Sequence, residues 1–168
     1  LVRSRVTTAG DPTLPARPLL AADPRFPGCR RSMGIPADSH DFGRTMLVCR
    51  MNHEQPHHQV AWEWFGYGQT LALLPLAEHQ SSVVVTLPPG DVQGLMAAPD
   101  TEFAAAMENR FQRRLGNMSL ASTRHAYPLV GVYPRRFVAE RFALVGDAAV
   151  GMHPVHAHGF NFGLLGQD

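Results

Sequence analysis

The residues best placed to do chemistry lie between Ala143 and Gly163. They read Ala143-Leu-Val-Gly146-Asp147-Ala-Ala-Val-Gly151-Met-His153-Pro154-Val-His-Ala-His158-Gly159-Phe160-Asn161-Phe-Gly163. The apolar run ending at Gly146 predicts a buried strand that stops where a missing side chain lets a ligand approach the backbone. Asp147 follows at once, and a carboxylate at a strand's carboxyl end can accept hydrogen bonds from sugar hydroxyls. Gly151 and Pro154 mark a loop. From Gly159 a glycine-spaced apolar run predicts a helix. The start of such a helix offers free N–H groups and a partial positive charge to an anion or an electron-rich ring edge. A lone Gly-Asp pair more often just ends a strand in a turn. The ordered string through Gly146, Asp147, Pro154, Gly159 and Asn161 carries the binding reading.

Other groupings carry less. His53-Glu54-Gln55-Pro56-His57 spells H-E-x-x-H, but that zinc motif needs a helix to bring both histidines to one face. Pro56 and the strand-like flanks argue for a solvated hairpin loop instead. His153, His156 and His158 cluster in the loop before Gly159, where a structural role is expected and no metal. Cys29 sits beside Arg30 and Arg31, yet an inert thiol is expected. Trp62 and Trp64 are expected to pack in the core.

The elements that position these groups follow from periodicity. Residues 2–8 and 17–22 read as strands, residues 24–39 as a loop, and residues 45–51 as a strand. Residues 59–65, 70–76 and 81–87 predict an antiparallel meander with turns at 66–68 and 77–79. Trp62 and Trp64 share one face of the first strand, and the second strand is uniformly apolar, as if covered on both faces. Asp100 is expected to cap a helix whose stripe is Phe103, Ala104, Met107, Phe111 and Leu115, stopped by Gly116. Arg110, Arg113 and Arg114 suit its last turns. Residues 120–129 predict a strand interrupted at Pro128, and residues 137–145 a final strand. No linker separates two independent domains.

Composition bounds the functions available. The 168 residues are 45% hydrophobic and carry a formal net charge of +1. Nothing forms a basic stripe, so no nucleic-acid partner is expected. Charged residues make up 17%, against about 25% on average, which points to apolar surface covered by further chain, a cofactor or a membrane. No apolar run approaches the ~20 residues of a spanning helix, and no targeting leader is expected. Two cysteines make no disulfide framework and fit a reducing compartment.

The segment from Gly146 to Gly163 resembles the second FAD motif of class A flavoprotein monooxygenases of the para-hydroxybenzoate hydroxylase type. That pattern runs Gly-Asp-Ala-Ala-His, three residues and a Pro, then Gly-Gln-Gly-x-Asn-x-Gly. Gly146, Asp147, Ala148, Ala149, Pro154, Gly159, Asn161 and Gly163 match in register. Val150 replaces the His, and Ala157-His158 replaces Gly-Gln. The variant Gly-Met-His-Pro-Val-x-Ala-His-Gly-Phe-Asn resembles one branch of the ubiquinone-biosynthesis hydroxylases. Asp23 to Arg30 resembles the family's middle motif, Asp-Gly-x-x-Ser-x-x-Arg, with Pro24 and Pro27 replacing Gly and Ser. Ala72-Leu-Leu-Pro75-Leu76 resembles its substrate-side strand.

The resemblance implies a partial chain of mixed α/β class: an antiparallel substrate-side sheet plus a strand–loop–helix of the FAD-binding domain. It implies an FAD-domain end with the middle motif at 1–40, a substrate-side sheet and helix at 41–130, and the second FAD motif at 131–168. The family's G-x-G-x-x-G loop is absent here and would lie upstream. The implied activity is hydroxylation of a phenolic, polyprenylated substrate using FAD, NAD(P)H and O2. Gly146, Asp147, Pro154, Gly159, Phe160, Asn161, Asp23 and Arg30 would contact the cofactor, with Pro154 at the reacting edge. A cytoplasmic location, peripheral to the inner membrane among other ubiquinone-biosynthesis proteins, is also implied. The alternative is a truncated, non-catalytic chain that binds no flavin.

Overall fold

The computed structural model describes residues 4–6, 14–16, 18–22, 28–152 and 159–165. The elements run β1 (Ser4–Val6), β2 (Leu14–Ala16), β3 (Leu19–Ala21), α1 (Gly28–Ser32), β4 (Ala37–His53), β5 (Trp62–Gly66), β6 (Gln69–Pro75), β7 (Gln80–Leu87), α2 (Pro89–Ala97), α3 (Asp100–Arg110), β8 (Met118–Leu120), β9 (His125–Pro134), β10 (Val138–Ala139), β11 (Phe142–Leu144), a single 3₁₀ turn (Gly146–Ala148) and α4 (Gly159–Leu165). The class is mixed α/β with an antiparallel sheet. The chain divides into two compact units, one of Gly43–Leu129 and one of Leu1–Phe42 with Val130–Asp168.

In the continuous unit, strands run in the order β5-β6-β7-β4-β8, and β9 also pairs with β4. The expected meander forms: Trp62 pairs with Leu73, and Leu73 with Val83. Alternation sets the two faces. Every second residue of β7, from Ser81 to Leu87, is buried, so Val83 and Val85 join Leu47, Cys49, Met51, Leu71 and Leu73 in one core with Phe103, Met107, Phe111 and Leu115. Each large side chain buried there contributes on the order of 1.5–3 kcal/mol. Burial also pushes the Cys49 thiol up to about 12. The register puts Val48, Val84 and Ala72 in one row on the opposite face.

Several expectations are corrected. β6 is not covered on both faces throughout, since Leu74 and Leu76 are exposed. A helix, α2, fills residues 89–97, where none is predicted. The helix expected to reach Gly116 stops at Arg110, and Gln112 and Arg113 then adopt left-handed backbone with φ of 53° and 51°. Asp100 does not cap α3; its carboxylate instead accepts from Arg124 at 3.1 Å. Pro128 does not interrupt its strand but lies inside β9. Residues 137–145 form a hairpin, β10 to β11, turned at Arg141 with φ 56°.

In the discontinuous unit, β3, β11 and β10 form a small sheet, with β11 parallel to β3 and antiparallel to β10. Ala21, Ile35, Phe142, Leu144 and Ala148 make its core. The loop expected at 24–39 is corrected by α1 and by the start of β4. Arg30 folds back so that Nη1 donates to the Ile35 carbonyl at 2.8 Å, and Gly34 at φ +63° ends the turn, as glycine does past a helix end. That seats Ile35, 2% exposed, in the core.

Candidate cofactor site

The site is built on the end of β11. Ala143 pairs with Leu20, and one residue beyond the strand the Val145 N–H donates to the Ala21 carbonyl at 2.9 Å. Gly146 then turns with φ +59°. Its carbonyl accepts from the N–H groups of Ala149 (3.0 Å) and Val150 (3.1 Å). Gly151 exchanges two hydrogen bonds with Val132, at 2.8 and 3.0 Å. The short arc carrying Asp147 is therefore pinned at both ends. The Asp147 side chain is exposed, and among the described residues no cation pairs with it.

α4 lies against this arc. A Cβ placed on Gly159 would sit 3.6 Å from Asp147 Oδ1, and one on Gly163 would sit 3.2 Å from Gly146 Cα. The carboxylate thus stands beside the first turn of α4, where backbone N–H groups favour negative charge. A cavity of about 290 Å³ opens here, lined by Phe137, Leu144, Val145, Gly146, Gly159 and Gly163 among others. Its walls are apolar and glycine-rich, with Asp147 following directly on its Gly146 wall. That combination fits the sugar-alcohol chain and ring edge of a flavin: a backbone bare enough for close approach, and a hydroxyl acceptor next to it. The volume suits part of a dinucleotide.

The expected residues are not all brought together. Gly146, Asp147, Gly159 and Asn161 share this corner, with Asn161 exposed on the first turn of α4. Phe160 belongs to α4. Asp23 and Pro154, with the histidines at 153, 156 and 158, lie outside the described residues. Arg30 is buried, bonds Ile35, and does not line the cavity; its Nε has no partner among the described residues. Sequence reasoning missed Phe137 as a wall residue, because the hairpin that brings it there replaces the expected straight strand. It also missed the Gly163–Gly146 contact, which only the packing of α4 reveals.

The H-E-x-x-H segment is corrected as well. It is not a solvated loop, since His53 and His57 are 6% and 1% exposed. Their rings stand 5.6 Å apart, but the nitrogens are committed elsewhere. His53 bonds the Gln55 carbonyl (2.8 Å) and Ser81 Oγ (3.0 Å). His57 donates from Nε2 to the Ala77 carbonyl and accepts at Nδ1 from the Gln59 N–H. Among the described residues no group of three His, Cys, Asp or Glu could hold a metal, and no helix is long and apolar enough to cross a membrane.

Known proteins share both the sequence and the fold of this chain. The chain is 50% identical over 155 residues to the ubiquinone hydroxylase UbiM of Neisseria meningitidis, covering 92% of this chain and 34% of that protein. It is 39% identical to the ubiquinone hydroxylase UbiL of Rhodospirillum rubrum, covering 94% and 37%. The chain thus spans about a third of the length of these curated relatives. Its fold matches that of PqsL, a probable FAD-dependent monooxygenase from Pseudomonas aeruginosa, with a TM-score of 0.70 at 20% identity, covering 91% of this chain and 44% of that one. A family model described as an FAD binding domain matches residues 2–166, and the chain belongs to that family.

Proposed function

We propose that this chain is part of an FAD-dependent aromatic monooxygenase that uses NAD(P)H and O2 to hydroxylate a phenolic, polyprenylated substrate in ubiquinone biosynthesis. The observation that carries the reading is the corner where Gly146 and Gly163 touch and Asp147 stands beside Gly159. Its support is the similarity to two proteins named as ubiquinone hydroxylases.

When bound, FAD would supply the redox chemistry between a nicotinamide and oxygen. The chain's own residues bind and orient. Asp147 accepts hydrogen bonds from the sugar-alcohol hydroxyls. Gly146, Gly159 and Gly163 let the backbone come close. Gly159 and Asn161, in the first turn of α4, would contact the pyrimidine side of the ring, and Phe160 is a further cofactor-binding position. Pro154 would serve the reacting edge and Asp23 the cofactor from the middle motif, with Arg30 bracing that motif through its bond to the Ile35 carbonyl. Residues 1–40 and 131–168 form the cofactor side, and residues 41–130 the substrate side. There the row Val48–Val84–Ala72 gives an apolar sheet face that shields the substrate from water. A substrate with a polyprenyl tail places the protein at a membrane surface, beside other ubiquinone-biosynthesis proteins.

The test uses the full-length protein, comparing Asp147→Ala with Pro154→Ala by FAD titration and by hydrogen peroxide measured against hydroxylated phenol. Loss of a charged acceptor for a hydroxyl, about 1.5–3 kcal/mol, should weaken FAD about ten- to a hundredfold for Asp147→Ala, with product per bound flavin retained. Pro154→Ala should keep the affinity and release peroxide in place of product. Normal FAD binding by Asp147→Ala would sink the reading.

A further inference from the structure

The edge of the sheet opposite β8 joins aromatic and cationic groups in a way the proposed reaction does not use. β5 is the outer strand of the order β5-β6-β7-β4-β8. Between residues 62 and 67 it and its turn carry Trp62, Trp64, Phe65 and Tyr67. Trp62 and Trp64 are half-buried, Phe65 is 59% exposed, and Tyr67, at the hairpin tip, is fully exposed. Arg114 lies over both indoles, its guanidinium carbon 5.5 Å from each ring. Arg44 donates to the Gly68 carbonyl at 3.0 Å, adding a second cation at the same hairpin tip.

The turn that holds Arg114 is strained in its favour. Gln112 and Arg113 both adopt left-handed backbone, a conformation that costs about 1–2 kcal/mol per ordinary residue. It is locked by Arg113 N–H to the Glu108 carbonyl (2.7 Å) and Gly116 N–H to the Arg113 carbonyl (3.0 Å). The nearby carboxylates bond to neutral N–H groups and not to the arginines. Glu54 accepts from the backbone and side-chain N–H groups of Asn117, both at 3.2 Å, and Glu108 accepts from the Met118 N–H at 2.9 Å. Glu63, between the tryptophans, points to the other face by strand alternation. Among the described residues none of Arg110, Arg113 and Arg114 forms an ion pair.

From these features we infer that the β5 edge, with Trp62, Trp64, Tyr67, Arg44 and Arg114, docks on an anionic lipid bilayer. Indole and phenol rings prefer the headgroup level, and each arginine near an anionic surface strengthens binding about fivefold. Charge complementarity selects anionic lipid as the occupant: the exposed Tyr67, the outer parts of Trp62 and Trp64, which otherwise pack on the core, and guanidinium groups without an ion pair among the described residues share one sheet edge. The inference rests on the membrane-peripheral reading above but assigns it a surface.

The test is co-sedimentation of the chain with vesicles of phosphatidylcholine alone and of phosphatidylcholine with phosphatidylglycerol, at low and high salt, following tryptophan fluorescence. The chain should bind the anionic vesicles, with a blue shift that high salt reverses. Arg44→Gln with Arg114→Gln should weaken binding about 25-fold. Tyr67→Ser, at a side chain that packs on nothing, should weaken it without touching the fold. If the chain binds anionic vesicles and all variants bind equally, this surface is wrong and the membrane reading stands. If it binds no vesicles, both fall. Self-association abolished by Tyr67→Ser, without vesicle binding, would assign the edge to a second copy and overturn the proposal.

Discussion

Gly163 stands so close to Gly146 that a methyl group on it would sit 3.2 Å from the Gly146 Cα. The helix and the strand end are therefore in backbone contact, with no side chain between them. Alanine at 163 should improve helix propensity by about 1 kcal/mol and cost about 1–3 kcal/mol of overpacking. The global stability should fall by no more than about 2 kcal/mol, yet the cavity wall must shift by a few tenths of an ångström. FAD affinity of the full-length protein should drop more than tenfold. Gly146→Ala makes the informative partner, because among the described residues beyond its chain neighbours no atom lies within 4 Å of its added Cβ; its cost of about 1–2 kcal/mol is that of the left-handed backbone. Urea unfolding and FAD titration of both variants check this, and wild-type FAD affinity in Gly163→Ala would refute it.

The same corner shows what a sequence can and cannot reveal. Gly146, Asp147 and the start of α4 at Gly159 were legible, because glycine and a strand-end carboxylate announce themselves locally. The turn at Gln112 and Arg113 was not. Phe111 and Leu115 continue the helical period of Phe103 and Met107, and both are buried, but a left-handed turn buries them as well as a helix would. α2 escaped notice because Gly90 and Gly94 dilute its pattern and only Val92 and Leu95 are buried. The turn at Arg141 has no glycine or asparagine to mark it. In each case tertiary packing overrides local propensity.

Arg124 ties the two helices of the continuous unit together. Nη1 donates to the carbonyls of Leu95 and Ala98, both at 2.7 Å, and Nη2 to Asp100 at 3.1 Å. Its guanidinium carbon lies 4.9 Å from the Phe103 ring. The Arg124 side chain is only 15% exposed, so solvent screens its bonds to the two carbonyls weakly, whereas Asp100, 71% exposed, adds little. Arg124→Ala should cost about 2–3 kcal/mol in urea unfolding. Arg124→Lys should recover less than half of that, because one ammonium cannot reach both helices with a planar fork. An alanine variant within about 0.5 kcal/mol of wild type would show that the fork contributes little.

His53 should make the continuous unit sensitive to mild acid. Burial first of all holds its pKa below the usual 6.5; the bond to the Gln55 carbonyl opposes this, and the neighbouring His57 and His79 add to the lowering. A carbonyl can only accept, so Nδ1 carries the proton and Nε2 accepts from the Ser81 hydroxyl. A second proton would displace that bond. The folded state therefore binds this proton less readily than the unfolded chain. The sign follows: the stability is fully present above pH 6.5 and is lost as the pH falls below it, down through the folded pKa. One such group gives a slope of up to about 1.4 kcal/mol per pH unit. Urea unfolding at intervals from pH 8 to pH 5 should show a plateau and then a decline. His53→Asn should be less stable at pH 8 and lose part of that slope, because no ring is left to protonate. If the wild-type curve is flat from pH 7 to 5, or if its slope survives the substitution unchanged, His53 does not carry the effect.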